Sequence, residues 1–279
     1  MPPVRLIAID IDGTLLDHAF QVSEANRRAL EDAHARGIEI ALVTGRRHTF
    51  ALPIAQSLGF PVTLISSNGA VTRRSTGELF HQDTLPRHAA LALVAHMTDF
   101  RQYLVFTFDR EGRGALMLET ADQLHRSIQR WMEKNAEYFE FVRPIEQALT
   151  TDPIQAMFCG EIAQMSEAQR HLHANHELLR SITVLKTEYE ARDLCIVDIL
   201  NRGCSKGHAL RRWSREQRIP REQIVAIGDN HNDVEMLEFA GLPFLMGNAC
   251  EELKLAGWPL TLTNEQDGVA HAIAQVLGG

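Results

Sequence analysis

The chain is expected to be an α/β protein, a mostly parallel sheet with helices on both faces, interrupted by an inserted α+β module. Three features lead there. Short aliphatic runs rich in β-branched residues recur at 4–9, 38–43, 62–66 and 224–227. Each is too short for an ordinary helix and apolar enough for a strand buried on both faces. Segments with helical periodicity separate these runs, the cadence of right-handed βαβ units and of a doubly wound, Rossmann-like sheet. Between about residue 83 and residue 200 that cadence is lost and shorter strands crowd together.

Taken in order, the run at 4–9 ends at Asp10-Ile11-Asp12-Gly13-Thr14, where glycine breaks it. A helix follows over 23–36, with Ser23 as N-cap and Gly37 closing its end. The second strand, 38–43, stops at Thr44-Gly45-Arg46. Another helix and the strand 62–66 then lead to Asn68-Gly69-Ala70. Past Gln82, neighbouring strands at 103–109 and 115–119 flank a turn at 110–114, and further strands are expected at 154–160, 182–186 and 194–200. Alternation returns with a helix over 206–217, a strand over 224–227 ending at Gly228-Asp229, a helix, and a strand over 242–246. A last strand, loop and helix are expected from Leu260. The organisation is therefore a core built from 1–82 and 201–279, with 83–200 inserted as a module of domain size.

The chain has 279 residues, 45% hydrophobic and 23% charged, the mix of a folded globular protein rather than a disordered one. Lys and Arg number 28 against 36 Asp and Glu, a formal net charge of −8. That balance argues against a general nucleic-acid binder and leaves room for a local positive pocket. Cys159, Cys195, Cys204 and Cys250 lack CxxC spacing and are expected to be buried free thiols of a reducing compartment. No run approaches the ~20 apolar residues of a membrane span, and the N-terminal apolar run ends in carboxylates rather than at a small-residue cleavage site. A cytoplasmic protein with no membrane or nucleic-acid partner is expected, a monomer or small homo-oligomer.

Polar residues gather where strands end: Asp10 and Asp12, Thr44, Lys206 at the head of its helix, and Asp229 with Asp233. In open α/β sheets ligands bind beyond the carboxyl ends of the strands. Asp10 and Asp12 are two apart, so along a strand their carboxylates would face one side. Like charges that close raise one pKa unless a cation intervenes. The pair therefore suits a divalent cation, or an acid kept protonated for catalysis. The four fixed residues of D-x-D-G-T arise by chance in roughly one of several hundred chains of this length. Asp229 offers a hard oxygen ligand of the kind magnesium takes, while Asp233 could ligate or cap the following helix. Lys206 at a helix start opposes the dipole preference, which favours a role toward a phosphate, assisted by backbone N–H groups. Thr44 and Gly45 supply a hydroxyl and an approachable backbone for anion oxygens.

Asp10-Ile11-Asp12-Gly13-Thr14, Val43-Thr44-Gly45-Arg46, Ser205-Lys206-Gly207 and Gly228-Asp229-Asn230-His231-Asn232-Asp233 resemble the four ordered motifs of the haloacid dehalogenase superfamily. Ser67-Asn68-Gly69-Ala70, Met246-Gly247-Asn248-Ala249 and the segment 264–269 are similar to its Cof-type, sugar-phosphatase-like branch, which carries a large α/β cap between the second and third motifs. The resemblance implies a magnesium-dependent phosphatase working through an aspartyl-phosphate. Asp10 would be the nucleophile. Asp12 would protonate the leaving oxygen, then activate water, with its backbone carbonyl on the metal. Asp10 and Asp229 would be side-chain metal ligands, and Asp233 and Asn232 would support the metal loop or contact phosphate. Thr44, Gly45 and Lys206 would hold phosphoryl oxygens. The substrate implied is a small phosphorylated metabolite, a sugar phosphate or a phosphorylated cofactor such as pyridoxal phosphate.

Phosphomutase chemistry is the alternative within the superfamily, and a phospho-accepting regulator the alternative outside enzymes. His171, His173 and His176 do not share one helical face and are expected on a solvated helix rather than around a metal. Arg211, Arg212, Arg215, Arg218 and Arg221 are expected on an exposed helix face with Trp213 packed inward. Arg46, next to Thr44, could lie at the mouth of the cleft.

Overall fold

The computed structural model describes residues 3–278. The chain begins with β1 (Leu6–Ile9), α1 (Glu24–Ala35), β2 (Glu39–Val43), α2 (His48–Ser57), β3 (Thr63–Ser66), β4 (Val71–Arg74) and β5 (Leu79–Gln82). It continues with α3 (Arg87–His96), β6 (Leu104–Thr107), β7 (Leu116–Leu118), α4 (Arg126–Lys134), β8 (Phe139–Phe141), β9 (Gln155–Gly160), α5 (Ile162–His173), α6 (His176–Leu179), β10 (Ile182–Tyr189) and β11 (Leu194–Asn201). It ends with α7 (Lys206–Glu216), β12 (Ile224–Gly228), α8 (Val234–Phe239), β13 (Leu242–Leu245), α9 (Glu251–Lys254) and α10 (Gly268–Leu277). Two compact units result, one from the chain up to Gln82 and from Ser205 onward, the other from Asp83–Cys204.

The split unit is built on one sheet in the order β13-β12-β1-β2-β3-β4-β5. The first five of these are parallel, and β4 and β5 run antiparallel at one edge. Strand alternation sends neighbouring side chains to opposite faces, and both faces are apolar. Ile7, Ile9, Ile40, Leu42 and Ile227 pack with Leu30 and Ala33 of α1, Ala51 and Ala55 of α2, and Val269 and Ile273 of α10. Leu6, Ala8, Ala41, Val43, Ile224 and Ala226 pack with Ala209, Leu210 and Trp213 of α7 and Met236 and Leu237 of α8. Burying each of the larger aliphatic side chains stabilises the fold by roughly 1.5–3 kcal/mol, and the polar residues that enter the central strands, Glu39 and Thr63, satisfy each other by a hydrogen bond at 2.8 Å. Ser23 caps α1 through a bond from the Asn26 N–H at 3.1 Å, a contribution of about 1 kcal/mol.

The structure departs from expectation at two places in this unit. β4 and β5 form a hairpin that the aliphatic pattern did not announce. Their Thr72, Arg73, Arg74, His81 and Gln82 are polar because an edge pair need not be buried on both faces. The strand expected at Leu260 is a single bridge to Leu245, and Leu260 and Leu262 remain largely exposed.

The inserted unit has its own six-stranded sheet, β10-β11-β9-β6-β7-β8, antiparallel except for β7 with β8. One core cluster joins Phe106, Phe158, Val197 and Ile199 of the sheet to Leu93 and Val94 of α3 and Met165 and Leu172 of α5. His171 is not on a solvated face as expected. Its ring stacks on His96 at 4.6 Å, and each imidazole Nε2 contacts the other residue's backbone carbonyl. All four cysteines are free; Cys159, Cys195 and Cys204 are buried and Cys250 is partly exposed. Among the described residues no helix is long and apolar enough to cross a membrane.

Candidate active site

The site lies within the split unit, where β1, β2, β3 and β12 end and α7 begins. β1 stops at Ile9, though the Asp10 N–H still donates to the Ile227 carbonyl at 3.0 Å. The chain then turns tightly through Gly13, whose φ is +82°. A Cβ on Gly13 would stand 2.4 Å from Oδ2 of Asp229, so glycine is required both by conformation and by the approach. Thr14 Oγ1 donates to Asp229 Oδ1 at 2.9 Å. Asn248 Nδ2 holds the Gly13 carbonyl at 2.8 Å, and Asn264 Nδ2 holds that of Leu16 at 2.9 Å.

The loop after β12 is organised by Asp233. Its Oδ2 accepts the backbone N–H groups of Asp229 and Asn230, both at 3.1 Å, and its Oδ1 accepts from Lys206 Nζ at 2.7 Å. Lys206 opens α7 behind Ser205, whose Oγ accepts the His208 N–H. The same ammonium donates to Asp10 Oδ1 at 2.5 Å. Both Lys206 and Asp233 are almost wholly buried.

Among the described residues Asp10, Asp229 and Asp233 form a group whose ligand oxygens all lie within 4.8 Å of one another. Three carboxylates against the single ammonium of Lys206 leave two negative charges uncompensated in a buried volume. Burial pushes Asp10 up to about 7, with Lys206 opposing and Asp233 and Asp12 adding to the rise. Burial likewise holds Asp229 well above the usual carboxylate range, reinforced by Asp10 and Asp233. Burial would lower the Lys206 ammonium, but Asp10 and Asp233 outweigh it and hold it above its ordinary value. An all-oxygen donor set short of two positive charges fits a hard dication such as magnesium.

A pH dependence follows. Asp10 titrates near 7 in the folded protein and near 3.9 in an unfolded chain. Between those values the folded state binds the extra proton, so this group makes metal-free protein less stable as pH rises from about 4 to about 7. A dication bound at Asp10 would displace that proton, so the rise in Tm on adding magnesium should be larger at pH 8 than at pH 5.5. Thermal denaturation with chelator or with magnesium at both values checks this; an equal or smaller rise at pH 8 contradicts it.

Asp12 does not share the acid cluster. The same-side expectation assumed a strand through residue 12, but β1 has already ended and the turn redirects the side chain. Its two oxygens are forked by Arg46, Nε to Oδ2 at 2.6 Å and Nη2 to Oδ1 at 2.5 Å. Of the carboxylates expected on the metal through their side chains, Asp10 and Asp229 are brought together and Asp233 joins them; Asp12 has only its backbone to offer. Thr44 is buried at the end of β2 and its Oγ1 accepts the Arg46 N–H at 3.1 Å. Gly45 faces the amide of Asn68, which in turn accepts from Asn232 Nδ2 at 3.0 Å. Thr14, Asn248 and Asn264 carry no role in the sequence reading. The signal for them is that Thr14 closes the D-x-D-G-T motif and that Asn248 and Asn264 stand in the two C-terminal segments similar to the Cof-type branch.

A family profile described as haloacid dehalogenase-like hydrolase matches residues 7–273. The chain belongs to this family. Phosphatase YwpJ of Bacillus subtilis is 34% identical to this haloacid dehalogenase-like hydrolase over 98% of the chain and 100% of its own length. Pyridoxal phosphate phosphatase YbhA of Escherichia coli is 28% identical over 96% and 97% respectively. A solved haloacid dehalogenase-like hydrolase from B. subtilis superposes with a TM-score of 0.81 at 29% identity, covering 98% of this chain and 100% of that one. With such relatives, this hydrolase falls in the class of phosphoric monoester hydrolases.

Proposed function

We propose that the protein is a magnesium-dependent phosphatase of small phosphorylated metabolites that acts through an aspartyl-phosphate on Asp10. The observation that carries this reading is the buried group of Asp10, Asp229 and Asp233 against one lysine. Asp10 and Asp229, with Asp233 beside them and the Asp12 carbonyl, would hold the metal. When bound, magnesium neutralises the acidic cluster and the phosphoryl oxygens gathered against it.

The remaining steps belong to this chain's residues. The ionised Asp10 carboxylate attacks phosphorus in line, forming one P–O bond as the bond to the leaving oxygen breaks. Asp12 gives that oxygen a proton, then takes one from the water that attacks phosphorus, releasing phosphate and restoring Asp10. Lys206 opposes the burial that raises Asp10 and faces the transferring oxygens, while Thr44 and the Gly45 backbone receive them. For Asp12 to reach a leaving group, the Arg46 fork must open, and an arriving phosphoryl anion is the competitor for that guanidinium.

The substrate class is sugar phosphates or phosphorylated cofactors. Support comes from relatives named for pyridoxal phosphate and for 5-amino-6-(5-phospho-D-ribitylamino)uracil. In the test, p-nitrophenyl phosphate and a panel of such metabolites are incubated with magnesium and with chelator, and free phosphate is measured. Metal-dependent release is expected, with Asp12→Ala slower by at least ~100-fold. A panel that yields no phosphate, or an isomerised sugar phosphate in its place, removes the reading.

A further inference from the structure

The Ser67-Asn68-Gly69 turn after β3 takes no part in the steps above, yet its backbone is strained. Ser67, Asn68 and Gly69 have φ of +49°, +53° and +103°, and all three are buried. Left-handed conformations in consecutive residues persist only where surrounding contacts over-determine them. Here the contacts reach three loops of the site. The Asn68 N–H donates to the Thr44 carbonyl at 2.9 Å and the Ser67 N–H to that of Arg46 at 2.8 Å. A Cβ on Gly69 would lie 2.3 Å from the carbonyl oxygen of Ser205, the residue before Lys206. The Asn68 side chain, wholly buried, accepts from Asn232 in the loop that carries Asp229 and Asp233.

We propose that Asn68 is a positioning residue for the metal-binding carboxylates, acting through its amide bond to Asn232. Asparagine meets both demands of the position, since it tolerates left-handed φ and presents an acceptor to Asn232. The bond ties the β12 loop to the β2 and β3 ends, so that Asp229 and Asp233 are set against Asp10 before any ligand arrives. The inference rests on the phosphatase reading only for the use to which that loop is put.

The test is a double-mutant cycle on the full-length protein, titrated with magnesium alone and followed by calorimetry. Asn68→Gly keeps the left-handed backbone at no steric cost and deletes only the amide. It should weaken magnesium binding about tenfold, the scale of one buried hydrogen bond. Asn232→Ala should do the same, and the double variant should be no weaker than either alone. Unchanged affinity in Asn68→Gly, losses that multiply in the double variant, or a wild type that binds no magnesium overturns the proposal. Should Asn68→Gly not fold, Asn68→Asp, which retains an acceptor oxygen, replaces it. Affinity kept there but lost in Asn232→Ala supports the inference, and loss in both overturns it. Magnesium affinity and phosphate release are separate readouts, so a wild type that binds the metal but frees no phosphate sinks the phosphatase reading alone.

Discussion

Asp10→Asn should abolish turnover, by at least ~10⁴-fold, the scale of losing a covalent nucleophile, while leaving the protein folded. The amide is nearly isosteric with the carboxylate, and Lys206 keeps its second partner, Asp233, at 2.7 Å. The variant also removes a carboxylate that burial already pushes up to about 7. Its Tm in chelator should therefore match or exceed that of the wild type at pH 8, whereas the gain in Tm on adding magnesium should shrink. Phosphate release near the wild-type rate would exclude Asp10 as nucleophile. A collapsed fold would show that the side chain's chief role is structural.

Lys206→Ala carries the second large effect, on stability and activity together. It leaves Asp10 and Asp233 buried without their shared ammonium, and breaking one side of a buried ion pair costs about 3–5 kcal/mol. For a protein of 279 residues that corresponds to a fall in Tm of roughly 5–9 °C. Magnesium should recover part of the loss, because a dication supplies charge to the same carboxylates. Turnover should not recover if Lys206 holds the phosphoryl oxygens as proposed, since the metal does not replace that ammonium. An unchanged Tm in chelator would show that the buried charges are compensated elsewhere.

Much of the fold was legible because the central strands are buried on both faces. Apart from Glu39 and Thr63, which bond each other at the starts of β2 and β3, β1, β2, β3 and β12 are apolar until they end, so aliphatic runs mark them and the polar residues after them mark the site. β4 and β5 escaped notice for the opposite reason: an edge hairpin with Arg73, Arg74 and His81 has no such pattern. At the site, residue types and order pointed to Asp10, Thr44, Lys206 and Asp229, but not to directions. That Asp12 turns to Arg46 depends on β1 ending three residues earlier. That Asp233 joins the acid cluster depends on its other oxygen accepting the Asp229 and Asn230 N–H groups of its own loop; its side chain does not cap α8, the alternative that the sequence offered. Asn68 stood in a segment that resembles the Cof-type branch but had no role to read from it, because its meaning lies in a contact with Asn232, 164 positions away.

The placement of β1 between β2 and β12 governs how the enzyme comes into being on the ribosome. Thr14 and Asp229 are separated by 215 residues and Asp10 and Lys206 by 196, whereas every strand pair of the inserted unit closes within that unit. A nascent chain thus exposes Asp10 first and receives Lys206 and the acidic loop last. Until the C-terminal segment emerges, one edge of β1 has no neighbour, an apolar border prone to self-association. Premature termination anywhere before β12 would accordingly yield an inert and aggregation-prone fragment rather than a partly active one.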